Sequence, residues 1–313
     1  VSGLQGEKIL ITGPTSQVAI PAVRELAKDN EVWGLARFRQ AEDRARVEAL
    51  GARTVSIDLA SDSFDELPND FDTVLHFAVV KSGNFDYDLQ ANAEGVGRLM
   101  AHLGRGRAPR AFLHCSSAGV YQYAGHELLC ETSPLGDNHR AMLPTYSICK
   151  IAAESVACFA AREWQIPTVI ARFSVPYGDN GGWPWFHLMM MNSGTEIPVH
   201  PEKPNLFNPI HEDDYVAQIP QLLRLASVPA TRVNWGGAQS SIEEWCGILA
   251  ELTGLEPRFR YTDQTIGSVT LDLAQMHASL GEAKVSIRDG LRRMLEARNP
   301  ELLKRESVTR SGR

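Results

Sequence analysis

Short apolar runs alternate with amphipathic stretches through the first half of the chain. Lys8-Ile9-Leu10-Ile11-Thr12 reads as a strand and ends in Gly13-Pro14-Thr15-Ser16. Residues 17–28 then place Val18, Ala19, Ala22, Val23 and Leu26 at helical spacing. Strands are predicted again over 31–36, 54–57, 73–77, 111–114 and 168–171. Helices are predicted between them over 41–50, 87–104 and 145–163, the second with Leu89, Ala93, Val96, Leu99 and Met100 inward. Strand–helix alternation at this spacing predicts an α/β fold, a doubly wound parallel sheet covered on both faces. Its ligand crevice is expected at the carboxyl ends of the strands.

After Arg172 the rhythm breaks. Residues 174–211 are rich in Pro, Gly and Trp, with one helical patch near 184–193. A helix at 213–226, a strand at 231–235, a helix at 241–253 and helical segments at 272–280 and 286–298 follow. This predicts a first unit over 1–173 and a smaller substrate lobe over 174–313, partly interleaved with the first.

Composition narrows the class. The 313 residues are 43% hydrophobic and 22% charged, ordinary for a globular protein, with a net charge of −7. That balance predicts neither a nucleic-acid nor a membrane partner. Lys304, Arg305, Arg310 and Arg313 read as a polar tail. The cysteines Cys115, Cys130, Cys149, Cys158 and Cys246 are scattered and show no C-x-x-C, so they are read as reduced thiols of a cytoplasmic protein. The first residues lack the regions of a signal peptide, and no apolar run reaches the roughly 18 residues a membrane span needs. The histidines His76, His114, His187, His200 and His211 lack metal-ligand spacing, so no metal site is expected.

The candidate chemistry centres on Tyr146 and Lys150, four residues apart and therefore on one face of the predicted helix. An ammonium beside a phenol favours the phenolate, so Lys150 is expected to lower the Tyr146 pKa from about 10. The pair then suits proton transfer in a carbonyl/alcohol interconversion. The first strand running through Gly13 into a helix is the arrangement that seats a pyrophosphate on a helix N-terminus. The usual three-glycine fingerprint is reduced here, with Ser16 and Ala19 at the other two places. At the end of the second strand, Ala36-Arg37-Phe38-Arg39 offers guanidinium in place of the acid that would hold a ribose 2′-hydroxyl. Either Arg37 binds a 2′-phosphate or both arginines are simply solvated; the first option favours NADP over NAD.

Taken in order, these landmarks resemble the extended short-chain dehydrogenase/reductases, the group that includes the NAD-dependent epimerase/dehydratase family. Thr12-Gly13, Asp58-Leu59, His76-Phe77-Ala78-Val79, Asn92 with Gly95, Cys115 to Tyr121, Tyr146 with Lys150, Arg172 to Gly178 and Ile210 to Tyr215 fall in the family's sequence. Asn234-Trp235-Gly236-Gly237 resembles its late strand and turn, and the likeness spans roughly residues 7–255. The resemblance implies a Rossmann-type first domain and an NAD(P)-dependent oxidoreductase, with a sugar or sugar-nucleotide epimerase as the alternative and a non-catalytic cofactor-binding relative as a third reading. It implies Ser117, Tyr146 and Lys150 as catalytic residues. The cofactor is expected along Gly13, Thr15, Ser16, Gln17, Val18, Arg37, Asp58, Leu59, Phe77, Ala78, Val79, Phe173 and Val175, with Tyr146 and Lys150 at the nicotinamide end. A homodimer through the helices near 87–104 and 145–163 is also implied.

Departures from the family pattern bear on the substrate. Sugar-nucleotide epimerases carry Asn where Val175 stands and usually Arg where Phe207 stands, and dehydratases follow the catalytic hydroxyl with Asp-Glu where this chain has Ala118-Gly119. These differences point to a small, non-nucleotide substrate. Ser117, Tyr177, Trp183 and Trp185 are the expected substrate contacts, with Phe186 and Met189 to Met191 nearby. The aromatic and methionine side chains either line an apolar pocket or form lobe core or a dimer contact.

Overall fold

The computed structural model describes residues 3–304; Arg305, Arg310 and Arg313 of the polar tail lie outside that span. Seven parallel strands form the main sheet, in the spatial order 231–235, 168–173, 111–117, 73–76, 8–12, 31–36, 53–56. The order reverses beside the first strand, which is where a doubly wound sheet opens a crevice. Strands Ala111–Ser117 and Thr168–Phe173 are buried along their whole length, as a sheet covered on both faces requires. The strand Thr231–Trp235 joins the sheet edge beside Thr168–Phe173, so the chain returns to the sheet after the 174–211 excursion.

Two helices depart from the spacing-based expectation. The segment after Gly13 first makes tight turns, Ser16 N to Gly13 O and Ile20 N to Ser16 O, and the helix proper is Ile20–Leu26. Pro21 accounts for that start, since a residue without an N–H fits the first helical turn. The long helix expected over 87–104 is Phe85–Leu89 and Gly95–Gly104 joined by a π-turn at Gln90–Glu94. Asn92 explains the widening. Its side-chain amide donates to the carbonyls of Asp88 (2.7 Å) and Val80 (2.9 Å) and its Oδ1 accepts from Val80 N (2.8 Å). A side chain inserted into the ladder in this way forces a wider turn.

Glu154, one turn beyond Lys150, anchors the helix Tyr146–Glu163 to the sheet. Its carboxylate accepts from Arg172 Nε (3.0 Å) and Nη2 (2.8 Å) and from Ser116 Oγ (2.6 Å), all buried. At the helix start, Thr145 Oγ1 donates to Asp88 Oδ2 at 2.7 Å. Both ends of the segment carrying Tyr146 and Lys150 are therefore held by buried, charge-assisted hydrogen bonds.

Candidate active site

The first strand, the second and the fourth end around a cleft of about 300 Å³, lined by Gly13, Thr15, Ser16, Arg37, Asp58, Leu59, Phe77, Ala78 and Val79 among others. Gly13 has φ +66°, and a Cβ there would stand 2.9 Å from the Ala78 Cα, so only glycine lets the two turns approach. Thr12 Oγ1 fastens them, accepting from Ala78 N (3.1 Å) and pairing with His76 Nδ1 (2.9 Å). Ser16 Oγ accepts from Ala19 N at 3.1 Å and so caps the following turn. The cradle fits a dinucleotide: a Cβ-free turn, backbone N–H groups at a helix start and a second turn over the same space.

The far end of this cleft holds a chain the sequence did not disclose. Arg37 Nη1 donates to Tyr87 Oη (2.6 Å), and Tyr87 Oη donates to Asp58 Oδ2 (2.8 Å). Burial first, and then the Asp58 carboxylate, raise the Tyr87 pKa, so the phenol stays a donor. Phe38, at φ +39°, and Arg39 complete that wall.

A second cavity, about 470 Å³, is lined by Ser117 and Tyr146 at its base. Lys150 lies one turn along the same helix face, and its Nζ donates to the Cys115 carbonyl at 2.6 Å. The expected lowering of the Tyr146 pKa is not what the structure has. Burial pushes it up to about 12; the Ser117 hydroxyl, not the Lys150 ammonium, acts in the opposite direction. Burial likewise lowers the pKa of Lys150. Lys150 is turned to the Cys115 carbonyl, and desolvation sets the direction for both groups. Lys81 Nζ stands 5.8 Å from the centre of the Tyr146 ring, and the His139 ring centre is 5.5 Å from it.

Over residues 9–193 the sequence matches the family model for the NAD-dependent epimerase/dehydratase family. The chain belongs to that family. Membership makes it an NAD(P)-dependent enzyme of the extended short-chain dehydrogenase/reductase type, on the seven-stranded sheet described above. Among similar solved structures, UDP-glucuronic acid 4-epimerase from Bacillus cereus, in complex with UDP-glucuronic acid and NAD, is 18% identical with a TM-score of 0.80, covering 93% of this chain and 98% of its own. MoeE5 in complex with UDP-glucose and NAD is 25% identical with a TM-score of 0.78, covering 94% and 99%. The dTDP-glucose 4,6-dehydratase DesIV from Streptomyces venezuelae, with NAD bound, is 22% identical with a TM-score of 0.79, covering 93% and 96%. No curated protein matches the sequence.

Within this family member, the residues expected around the cofactor divide between the two spaces. Gln17, Phe173 and Val175 line the second cavity with Tyr146, not the first cleft. Val18 lines neither; its carbonyl accepts from Tyr215 Oη at 3.1 Å. Lys150 is buried behind the cavity wall. Of the expected substrate contacts, Ser117 and Trp183 face the cavity, whereas Tyr177 and Trp185 do not. Tyr177 is fully buried, edge-on to His211 with ring centres 5.4 Å apart. Trp185 lies beneath the Arg298 guanidinium, 4.5 Å from the ring centre. Helical spacing explains the split, because Trp183, Phe186, His187 and Met190 share one face of Trp183–Ser193 and Trp185 points away. Met191 is core instead.

Sequence reasoning missed Tyr87, Lys81, His139 and the cavity wall formed by Met142, Leu143, Ile266 and Val269. Lys81, four residues past Phe77, could have been found by extending the turn after the fourth strand. His139 and the 265–269 wall sit in irregular segments with no period to read. Among the described residues no cluster of three or more His, Cys, Asp or Glu could hold a metal ion, and no helix is long and apolar enough to cross a membrane.

Proposed function

We propose that this protein interconverts a carbonyl and an alcohol on a small, largely apolar substrate by NAD(P)-dependent hydride transfer. One observation carries the reading: the cavity that Ser117 and Tyr146 share is walled by Met142, Leu143, Trp183, Phe186, Met190, Phe207, Ile266 and Val269, and Lys81 is the one formally charged side chain among its described lining residues. A nucleoside diphosphate carries two or more negative charges, which call for guanidinium partners. Among the described residues no arginine lines this space.

In the mechanism, Ser117 Oγ and Tyr146 Oη both hydrogen-bond the substrate oxygen. The protonated phenol gives its proton to that oxygen during reduction and takes it back in the alcohol direction. The Ser117 hydroxyl stabilises the phenolate left behind, and Lys150, one turn along the same helix face and fixed on Cys115 O, would hold the nicotinamide ribose. A bound nicotinamide dinucleotide supplies the hydride donor or acceptor. Gly13, Thr15 and Ser16 would hold its pyrophosphate, and Phe77, Ala78 and Val79 its inner edge. Arg37 and Arg39 at the outer end support NADP over NAD. Fluorescence titration with both dinucleotides tests that choice; tighter binding of NAD reverses it.

A second reading, sugar-nucleotide epimerisation with the cofactor recycled in place, draws on the likeness to MoeE5, whose structure holds UDP-glucose and NAD. Consumption of NADPH with a panel of apolar aldehydes and ketones supports the first reading. Isomerisation of UDP-glucose without net cofactor change replaces it with the second.

The chain is further proposed to act as a homodimer in the cytoplasm, with residues 1–173 holding the cofactor and 174–313 shaping most of the substrate cavity. Ile148 and Phe159, about three turns apart on one face of Tyr146–Glu163, are 39% and 60% exposed, which supports a helix-to-helix contact there. Light scattering giving the mass of a single chain would refute the dimer.

A further inference from the structure

His139 lies in the loop that leads into the helix Tyr146–Glu163 and lines the same cavity as Ser117 and Tyr146. The loop is fixed at several points. The His139 carbonyl accepts from Met142 N (3.1 Å) and Leu143 N (2.8 Å), Tyr146 N donates to Leu143 O (3.0 Å), and Asn138 Nδ2 donates to Gly267 O (3.3 Å). The imidazole rests on Gly119, where a Cβ would come within 2.5 Å of Cε1 and 2.7 Å of Nδ1. The absent side chain at 119 is what admits the ring beside Tyr146.

The ring's two nitrogens have different surroundings. Nδ1 is buried without a hydrogen-bond partner, which leaves Nε2 as the nitrogen facing the accessible space of the cavity. Burial, and then the charge of Lys81, hold the His139 pKa down at about 4, so the ring is neutral and carries one N–H. An N–H stranded at the buried Nδ1 is the costlier arrangement, which places the proton on Nε2. A neutral donor is thus held in place with no described residue to receive its hydrogen bond.

We propose that His139 Nε2–H donates to a second oxygen of the substrate, on the carbon next to the reacting carbonyl, so that the substrate class is an α-hydroxyketone or the corresponding vicinal diol. The adjacency follows from the spacing. The His139 and Tyr146 ring centres are 5.5 Å apart, within the span of one small molecule that bonds both, and a hydroxyl on the neighbouring carbon is the shortest such bridge. The proposal rests on the reading that Tyr146 and Ser117 hold the reacting oxygen.

The test uses butyroin, an acyloin with two propyl arms, and the same ketone without its hydroxyl. Both are titrated into the full chain loaded with oxidised dinucleotide, and binding is read from tryptophan fluorescence, since Trp183 lines the cavity. The wild type is expected to bind butyroin about tenfold more tightly than the plain ketone. His139→Phe should abolish that ratio, His139→Gln should recover part of it, and Gly119→Ala should abolish it by displacing the ring while leaving the histidine in the chain. Binding of neither probe, equal binding of the two by the wild type, or a ratio that survives in folded His139→Phe or Gly119→Ala protein overturns the contact. NADPH consumption is followed in parallel. A preference for butyroin without turnover upholds the His139 contact and refutes the hydride-transfer reading instead.

Discussion

Arg172 and Glu154 meet inside the protein through two parallel hydrogen bonds of 3.0 and 2.8 Å, with side chains 2% and 3% exposed. The pair joins the strand Thr168–Phe173 to the helix that carries Tyr146 and Lys150, and Tyr121 Oη and the Glu131 carbonyl complete the guanidinium's partners. Removing one member leaves a charge buried and unpaired. Glu154→Leu is therefore expected to cost about 3–5 kcal/mol, whereas the double change to Glu154→Leu with Arg172→Met should cost much less than the sum of the two single changes. Urea unfolding of the three variants measures this. Additive losses would mean that the pair does not act as a unit.

Tyr146→Phe removes the hydroxyl and little else from a part-buried ring on the cavity wall. The proposed acid/base role predicts a fall in kcat of about 10²–10⁴ with unchanged circular dichroism and dinucleotide affinity. Activity on a carbonyl probe within twofold of wild type would remove Tyr146 from the chemistry and revive the non-catalytic reading.

The strand alternation read correctly because each strand of the main sheet is a short apolar run bounded by turn residues, and a parallel sheet buried on both faces leaves that imprint. Gly13 was legible for a related reason: a close approach of two backbones admits one residue type. What stayed hidden depends on groups remote in the chain. The direction of the Tyr146 pKa is set by burial at a cavity that His139 to Leu143 and Thr265 to Val269 help to wall, and the packing of those segments has no periodic signature. Trp185 and Tyr177 were misplaced because being aromatic says nothing of the face on which a side chain emerges. The π-turn at Gln90–Glu94 follows from Asn92 bonding Val80, a contact across twelve residues of turn and helix that local propensity does not encode.

Val175 is a β-branched residue at φ +37°, in the left-handed region where such side chains are strained by about 1–2 kcal/mol. Asparagine tolerates that backbone. Val175→Asn is accordingly expected to raise the thermal midpoint by about 2 °C, partly offset by lost packing of the valine methyls. A midpoint lowered by several degrees would show that the valine's packing outweighs its backbone strain.

His187 fixes a pH dependence of stability. Trp245 Nε1 donates to His187 Nδ1 at 2.9 Å, so that nitrogen must be unprotonated, and burial holds the His187 pKa at about 3 against 6.5 in an open chain. His76, also buried, sits at about 3 for the same reason. Between these values and 6.5 the unfolded chain binds protons that the folded protein refuses, so stability is full above about pH 6.5 and falls as the pH drops. Each such histidine contributes up to about 1.4 kcal/mol per pH unit through that window. Urea midpoints measured from pH 7 down to pH 5, above the range where most carboxylates titrate, should therefore decline, and His187→Gln should flatten the decline by roughly one histidine's share. A midpoint constant from pH 7 to pH 5 would mean that the folded protein takes up these protons, and that the Trp245–His187 hydrogen bond breaks before the fold does.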